Sequence, residues 1–464
     1  MLLRVLWHCY ELSRNQWLGP SQLKKLQEKR LRAIVKHAYQ NVPLYREKFD
    51  SIGVRPSDIQ TLEDLPKLPL MTKTEFRAGI PKKSLARGYT EKDFVRSSTS
   101  GTSGGPMPIF RDNKCCDIYL AGRQYRNIEA MGFRATDSQV LLNYHRPDPH
   151  DSSCNMVENN EKKKSRGRKA IGPTFELFRH CRKQVYIAYS SVEVLPEIVA
   201  YQPKILKASS SYLRLVAEQI QDQGARPFHP QALISNGEVL DEPTRTYLES
   251  IFKCPVFDWY GAHEAYNIAW ECRKQEGKHV NADTHILEIV RNGKPVSPGE
   301  KGEIVVTGLI EHSMPFIRYR VGDIGILDDH KCSCGRAFPL LKSVEGRIVD
   351  SFSLPDGSTV TPKEVMTVIQ GTPGVSRYRA VQERVDKVRI ELMARASDSL
   401  VSVNELVEKC HVLLGDDVEI QVDITDRTDL KAKFRPVISK LTVAGEQRWT
   451  EPRARNVIAG ILLH

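Results

Sequence analysis

The sequence lacks any uninterrupted apolar run close to the roughly 20 residues that a helix needs to cross a bilayer. It also lacks internal repeats and, apart from one basic run, low-complexity segments. Residues 1–8 are interrupted by Arg4 and are not followed by a small-residue cleavage site. These absences exclude membrane-spanning and fibrous classes of protein and argue against a signal peptide. We therefore expect a globular, cytoplasmic protein without a membrane span.

The chain carries an excess of positive charge. Lysine and arginine outnumber aspartate and glutamate by 68 to 57, which gives a net charge of +11. Such a balance is typical of proteins that bind nucleic acid, membrane surfaces or anionic small molecules. The one dense run, at residues 162–169, is either a solvated loop or an attractor of phosphate-bearing ligands. Because no zinc-finger, RNP or helix-turn-helix signature accompanies it, we predict no nucleic-acid partner.

The 464 residues are enough for two or three domains. Prolines punctuate helical patterns through residues 1–90, and alternating short apolar runs and amphipathic helices follow, as in parallel strands covered by helices. After residue 346 the composition changes. The elements predicted there are strands at 358–360, 388–392 and 418–422 and helices at 362–369 and 403–414. We predict an α/β fold: a large domain with parallel-rich sheets, residues 1–346, and a small α+β domain, residues 347–464.

A loop rich in serine and glycine spans residues 97–106 (SSTSGTSGGP). Glycines let the backbone wrap around an anion, and successive N–H groups and hydroxyls donate hydrogen bonds to phosphate oxygens. The loop is not a Walker motif, because no Gly-Lys-Ser/Thr opens a helix and the sequence after Gly105 indicates an extended segment. A flexible linker is the alternative interpretation.

Five further polar segments follow in order along the chain. They are residues 235–238 (SNGE), 258–264 (DWYGAHE), 316–323 (FIRYRVGD), 346–350 (GRIVD) and 431–435 (KAKFR). Together with the serine–glycine loop, this series resembles the adenylate-forming (acyl-CoA synthetase-like) superfamily. The segment Cys-Ser-Cys-Gly-Arg at residues 332–336 is similar to the phenylacetate–CoA ligase and capsule-biosynthesis branch. The resemblance covers nearly the whole chain.

The resemblance implies an ATP-dependent, AMP-forming ligase that converts a carboxylic acid into an acyl-adenylate with the help of Mg²⁺. The acyl group then passes to coenzyme A, or, as the alternative, to an amine that becomes an amide. A non-catalytic nucleotide-binding or scaffold relative is a second class, because the chain lacks the phosphate-loop lysine that many relatives carry. The sequence leaves the acid undetermined and the oligomeric state open, with a homodimer as one candidate.

The resemblance also assigns roles around the nucleotide. Glu264 would be a catalytic residue and the magnesium ligand, since Mg²⁺ prefers carboxylate oxygen; the alternative is a glutamate in the first turn of a helix that begins after Gly261. Asp323 would bind the ribose hydroxyls, and Tyr260 would stack on adenine. His263 replaces the usual serine or threonine. The predicted ATP- and AMP-binding residues are Ser100, Gly101, Thr102, Ser103, Gly104, Asn236, Gly237, Glu238, Tyr260, Gly261, His263, Asp323 and Arg347.

The C-terminal domain resembles the mobile lid of the superfamily, which rotates between a pose for adenylation and a pose for acyl transfer. Lys433 would be the catalytic lysine that bridges carboxylate and α-phosphate, with Lys431 as a competitor and a plain surface lysine as the alternative. Arg347 would be catalytic as well. Asp350 would be the hinge.

Ten cysteines in a chain without a secretory signal indicate thiols or metal ligands rather than a disulfide framework. Cys272 and His279 lie on one segment, and Cys332 and Cys334 lie on another. Three thiolates and an imidazole are a typical tetrahedral set for structural zinc. His285 is a rival ligand, and four unrelated reduced side chains are the alternative.

Overall fold

The computed structural model describes residues 2–90, 93–99, 105–143, 182–186, 194–222, 224, 227–375, 377–393, 402–425 and 435–441. Three sequence predictions fall outside these described residues: the phosphate loop from Ser100 to Gly104, the lysines Lys431 and Lys433, and the basic run at residues 162–169.

The N-terminal part is helical, as predicted. Its α-helices are α1 (Leu2–Asn15), α2 (Pro20–Asn41), α3 (Pro43–Ser51) and α4 (Lys73–Gly79), with 3-10 turns at Pro56–Asp58 and Leu62–Lys67. Prolines occupy the first positions of α2 and α3, where their missing N–H costs nothing. Helix α4 begins with a capping box, in which Thr72 accepts from the backbone N–H of Glu75 and the Glu75 carboxylate accepts from the N–H of Thr72.

One apolar core joins these helices to the rest of the chain. It contains Tyr45 and Phe76 from the helical part and Phe316 and Tyr319 from a later segment. Met71 bridges to Tyr319 through backbone hydrogen bonds with both neighbours of that tyrosine. The start of α4 is therefore held beside Tyr319.

A twelve-stranded mixed sheet forms the centre of the molecule, in the order β11-β10-β12-β13-β14-β9-β8-β7-β6-β5-β3-β4. The strands are β3 (Gln139–Asn143), β4 (Arg182–Tyr186), β5 (Ile205–Ala208), β6 (Ala232–Asn236), β7 (Val256–Ala262), β8 (Tyr266–Glu271), β9 (Lys278–Val280), β10 (His285–Arg291), β11 (Lys294–Pro295), β12 (Lys301–Gly308), β13 (Tyr319–Asp328) and β14 (Leu340–Arg347). Strands β3 to β7 pair in parallel, whereas β7 to β14 pair only antiparallel. The parallel-rich prediction holds for the first half of the sheet.

Helices α7 (Val194–Tyr201), α8 (Ser210–Asp222) and α9 (Glu242–Phe252) cover one face of the parallel half with a shared apolar core. Helices α5 (Asn113–Ala121) and α6 (Asn127–Ala130), joined by a π-helical turn, follow the hairpin β1 (Phe94–Ser98) and β2 (Pro108–Asp112). The carboxyl ends of parallel strands meet at one edge of a sheet, which is where ligands bind in open α/β folds. The segment after β6 and the end of β7 lie at that edge.

The C-terminal part has its own apolar core and a four-stranded sheet in the order β19-β18-β17-β20. Its elements are β15 (Phe352–Ser353), β16 (Thr359–Val360), α10 (Pro362–Gln370), β17 (Arg377–Arg384), β18 (Lys387–Met393), α11 (Val403–Leu414), β19 (Glu419–Thr425) and β20 (Val437–Ser439). Arg377 from this part pairs with the buried Glu218 of α8 over 2.9 Å. In the described part of the chain, every helix is too short or too polar to cross a membrane.

Candidate active site

The segment around Glu264 is a turn between the antiparallel strands β7 and β8. A side chain at Gly261 would lie 2.0 Å from the carbonyl oxygen of Tyr266, so only glycine fits there. Tyr266 itself adopts a φ of +54°. Glu264 is 8% exposed at this turn. The alternative expectation, a glutamate in the first turn of a helix, is therefore wrong, because β7 turns directly into β8.

The Glu264 carboxylate is held by a neighbour that the sequence analysis did not single out. Tyr319 Oη donates a hydrogen bond to Glu264 Oε1 over 2.8 Å. Burial raises the pKa of Tyr319 above its usual range, and the nearby Glu264 carboxylate raises it further, so this phenol stays protonated and remains a donor. Tyr319 lies inside the segment 316–323, but only the fold shows that it points towards Glu264.

Three predicted nucleotide-binding residues come together from three strands. Tyr260 Oη on β7 donates to Asp323 Oδ2 on β13 over 2.8 Å. Arg347 ends β14 directly opposite Asp323, with its Nε 3.9 Å from Asp323 Oδ1. Burial, reinforced by the Asp323 carboxylate, raises the pKa of Tyr260 well above its usual value. An aromatic ring, a carboxylate and a guanidinium thus form one cluster.

The predicted adenine segment leaves the carboxyl end of β6. Gly237 has a φ of +84°, which turns the chain after Asn236. The Asn236 Oδ1 atom is buried and has no hydrogen-bond partner among the described residues. The Glu238 carboxylate instead accepts hydrogen bonds from Ser210 Oγ and the backbone N–H of Ser211, at the first turn of α8. Asn236 therefore keeps an acceptor oxygen that no described residue uses, while Glu238 holds the loop.

The residues that flank the serine–glycine loop are fixed. Thr99 and Met107 exchange backbone and side-chain hydrogen bonds across its base. Arg111 on β2 is 3% exposed, donates to Ser97 Oγ over 3.2 Å and to the carbonyl oxygen of His263, and stacks 4.1 Å from the centre of the Tyr266 ring. Arg111 therefore ties the base of the loop to the turn that carries Glu264. His263 itself is exposed.

Two cations of helix α4 border the same site. Arg77 Nη2 donates to the carbonyl oxygen of Gly105, just after the loop, over 3.2 Å. Lys73 has a lowered pKa, mainly because it is partly buried; Glu264 counteracts this effect, whereas Arg77 and Arg347 add to it. Lys73 therefore lies within electrostatic reach of Glu264 and Arg347. The only sequence signal for Lys73 and Arg77 was that they lie four residues apart on a predicted helix.

The predicted hinge residue, Asp350, contacts Arg435 near the C-terminus of the described chain. Asp350 lies in a 3-10 turn, Ile348–Asp350, and forms an ion pair with Arg435. Burial raises the pKa of Asp350, although Arg435 favours its charged form. Arg435 is the second residue after Lys433 and the first described residue of its segment. Arg435 therefore lies beside the turn that follows β14.

The four predicted zinc ligands lie together. Their ligand atoms all fall within 4.8 Å of one another. The sulfur atoms of Cys272 and Cys332 are 3.7 Å apart, and Cys334 Sγ is 3.3 Å from His279 Nε2. Gly335 has a φ of +84° and makes the tight turn expected after Cys334. The rival His285 instead bonds to Ala265, Thr284 and Tyr119.

This donor set fits a zinc ion. Tetrahedral coordination with Zn–S bonds of about 2.3 Å requires sulfur atoms about 3.8 Å apart, close to the distance between Cys272 and Cys332. Burial lowers the pKa of His279 to about 4, so its imidazole is neutral and able to ligate a metal. The backbone N–H of Lys274 also approaches the sulfur of Cys272, at 3.4 Å.

The chain was compared with known proteins. No family model matches it. It is 27% identical over 376 residues to the phenylacetate–coenzyme A ligase of Thermus thermophilus, covering 79% of this chain and 80% of that one. It is 21% identical over 376 residues to protein CapK of Staphylococcus aureus, covering 80% and 79%. A solved structure of 2-hydroxyisobutyryl-CoA ligase with 2-HIB-AMP superposes with a TM-score of 0.75 at 20% identity, over 92% of this chain and 91% of that one.

The fold of the chain is similar to that of the adenylate-forming ligases. In sequence, the chain is similar to phenylacetate–CoA ligases and to protein CapK, the branch that the sequence resemblance indicated. Both levels of the resemblance found in the sequence are confirmed.

Proposed function

We propose that the chain is an ATP-dependent, AMP-forming carboxylic acid ligase that makes an acyl-adenylate and transfers the acyl group to coenzyme A. The observation that carries this proposal is that Tyr260, Asp323 and Arg347 converge from three strands, with Glu264 in the turn after β7 and within electrostatic reach of Tyr260. The relatives named as phenylacetate–CoA ligases support the choice of acceptor.

In the first half-reaction, a carboxylate oxygen of the acid attacks the α-phosphorus of ATP and pyrophosphate leaves. The protein contributes mainly position and charge. Glu264 would hold Mg²⁺, which neutralises phosphate charge when bound. Lys73, Arg77 and Arg347 supply positive charge at the border of the site, and Lys433 would add a further cation between the carboxylate and the α-phosphate.

The nucleotide would be recognised through its base and its sugar. Tyr260 would stack on adenine, and Asn236 has a buried amide oxygen that can accept a hydrogen bond from the exocyclic amine. Asp323 would bind the ribose hydroxyls, with Tyr260 and Arg347 holding its carboxylate in place. The loop from Ser100 to Gly104 would bind the β- and γ-phosphates. In the second half-reaction the thiol of coenzyme A attacks the acyl carbonyl carbon, and AMP leaves.

The two half-reactions would share one site through domain movement. We assign residues 1–346 to the large domain, with residues 1–90 as its helical part, and residues 347–464 to the lid. The separate apolar core of the C-terminal part supports this division. Asp350 would be the hinge, and its ion pair with Arg435 would couple hinge rotation to the position of Lys433.

The cluster of Cys272, His279, Cys332 and Cys334 would hold a structural zinc ion. A closed set of four protein ligands supplies no open position for chemistry. The ion would instead join β9 to the segment before β14, and β14 carries Arg347 at its other end. Zinc would therefore stabilise the strands from which the nucleotide site is built.

Product analysis tests the proposed function. The purified chain is incubated with ATP, Mg²⁺ and a panel of aryl and aliphatic acids, with coenzyme A, an amine panel or neither. Mass spectrometry should detect AMP and an acyl-CoA in the presence of coenzyme A, and acyl-adenylate in its absence. Amide formation without thioester would assign the amine acceptor instead, and the absence of AMP with every acid would overturn ligase function.

A further inference from the structure

Helix α1 exposes large apolar side chains along one side. Leu3 is 82% exposed, Leu6 47%, Trp7 60% and Tyr10 58%. Their spacing of three, four and seven residues puts them on one face of the helix, which we call the outer face of α1. Trp17, 56% exposed, follows in the turn that ends the helix. An exposed group of this kind marks an interaction surface rather than a core.

The opposite side of α1 already serves as the core-facing side. Val5, Cys9 and Leu12 are buried there against Cys115 and Tyr119 of α5. Within the described part of the chain, α1 therefore packs on the core through its opposite side and not through the outer face. Replacing its side chains should leave the packing of α1 intact.

The surroundings of the outer face are basic. Residues 1–40 contain eight lysines and arginines against two glutamates, so much of the chain's net charge of +11 originates here. Arg14 lies on the outer face itself, one turn after Tyr10, and is exposed. The guanidinium of Arg336 stacks over Trp17 at 4.4 Å. Two carboxylates close to α1 are paired with arginines, Glu11 with Arg30 and Asp117 with Arg4, and Glu129 accepts a hydrogen bond from Ser13.

We propose that the outer face of α1 binds an anionic lipid surface, with the helix lying in the interface. Tryptophan, tyrosine and leucine on one face, accompanied by arginine and lysine, are the residues that interfacial helices use. Apolar rings enter the headgroup boundary, while Arg14 and its neighbours meet lipid phosphates. Helix α1 has 14 residues and is too short to span, so it would lie on the membrane.

Charge decides between this partner and a second copy of the chain. A twofold dimer through the outer face would place the same basic residues against each other, and this repulsion opposes association. An anionic surface gains from the same charges. The aliphatic side chains of Leu3 and Leu6 also favour lipid over nucleic acid as the partner, because they pack on acyl chains better than on stacked bases. The inference is independent of the proposed reaction.

Vesicle sedimentation of the full chain tests the proposal. The vesicles are phosphatidylcholine alone or an equal mixture of phosphatidylcholine and phosphatidylglycerol, at low and high salt. We expect binding to the mixed vesicles at low salt, weak binding to phosphatidylcholine, and a loss of about tenfold or more in the double variant Trp7→Glu, Tyr10→Glu. Arg14→Glu should weaken binding and reduce its dependence on salt. Ile424→Glu, a change at a 64% exposed residue of β19, is the matched control and should bind like the original chain.

Four results would overturn the proposal. The first is a lack of sedimentation with mixed vesicles at low salt. The second is vesicle binding that the Trp7→Glu, Tyr10→Glu variant retains in full. The third is a dimer, detected by analytical ultracentrifugation, that this variant abolishes while vesicle binding is absent, which would assign the outer face to a second copy. The fourth is a lowered melting temperature of this variant when the original chain shows no vesicle binding, which would assign the outer face to a contact with another segment of the chain.

Discussion

Tyr319 Oη donates a hydrogen bond to Glu264 Oε1 over 2.8 Å, and the two residues reach each other from different parts of the sheet. Tyr319 is also packed into the core that binds the N-terminal helices to the large domain. The orientation of the proposed magnesium ligand thus depends on how the helical N-terminal part is docked.

Removing this hydrogen bond should weaken metal use. In Tyr319→Phe the Glu264 carboxylate loses a donor, so we expect kcat/KM for ATP to fall about tenfold or more and the Mg²⁺ concentration for half-maximal rate to rise. Tyr39→Phe is the matched control, because Tyr39 donates to Asp50 on the surface over 2.9 Å. An unchanged Mg²⁺ dependence in Tyr319→Phe would contradict this role.

Lys73 is predicted to neutralise phosphate charge in place of the lysine absent from the serine–glycine loop. Lys73→Gln should raise KM for ATP and lower kcat, since Lys73 lies near Glu264 and Arg347. Lys83→Gln changes a lysine whose side chain is 54% exposed and should leave both constants unchanged. Steady-state kinetics with varied ATP separate the two variants. Equal kinetics for both would remove Lys73 from the site.

Arg111 is predicted to position the Glu264 turn. Arg111→Lys keeps the charge but loses the planar donors that reach Ser97 and the His263 carbonyl and the stacking on Tyr266. We expect lower kcat and a higher Mg²⁺ requirement, with a similar melting temperature. Arg55→Lys is the control, because that guanidinium stacks on the exposed side of Tyr39 at 5.6 Å. If Arg111→Lys lowers the melting temperature but leaves the Mg²⁺ dependence normal, Arg111 stabilises the fold and does not position the Glu264 turn.

Zinc loss is predicted to destabilise the large domain. Cys332→Ser should lose the bound metal measured by elemental analysis and should lower the melting temperature, because structural zinc contributes directly to folding free energy. Cys254→Ser, at a partly exposed cysteine outside the cluster, should keep both properties. Purified protein that contains no zinc, with identical melting of both variants, would disprove the site.

Glu311 provides a prediction for pH. Burial raises its pKa from 4.5 to about 7, although Arg111 favours the charged form. Between these values Glu311 keeps a proton in the folded chain that it has lost in the unfolded chain, so the contribution of Glu311 to stability should be greatest below pH 4.5 and fall as pH rises to 7. Glu311→Gln should remove this decrease in the free energy of unfolding, which is about 3 kcal/mol at most, and should be more stable than the original chain at pH 8. Denaturant unfolding between pH 4 and pH 8 measures this free energy, with Glu47→Gln as the exposed control. The same dependence of unfolding free energy on pH in Glu311→Gln and in the original chain would contradict the role given to Glu311.

Local patterns in the sequence predicted much of the fold. Helices α10 and α11 were found almost to the residue, because each buries apolar side chains at helical spacing. The cluster of Cys272, His279, Cys332 and Cys334 was also predicted, since cysteine and histidine at short spacings are typical of metal sites. These signals lie within single segments and need no knowledge of tertiary contacts.

Residues that act across the fold escaped the sequence analysis. Tyr319, Lys73 and Arg111 are ordinary residue types whose significance depends on what they face. Because Lys73 and Glu264 lie far apart in the sequence, no short motif links them. The segment at Glu264 was open between helix and loop because Gly261 disfavours a helix whereas Ala262 favours one, and the antiparallel pairing of β7 with β8 decided it.

Carboxylate-dependent exchange of pyrophosphate into ATP tests the central claim most directly, because it requires a nucleotide, an acid and the residues around Glu264 to act in one site. We predict exchange with at least one acid of a broad panel by the unmodified chain, its loss in Glu264→Ala, and its retention in Glu47→Ala. Exchange that survives in Glu264→Ala, or none with any acid, would contradict the account.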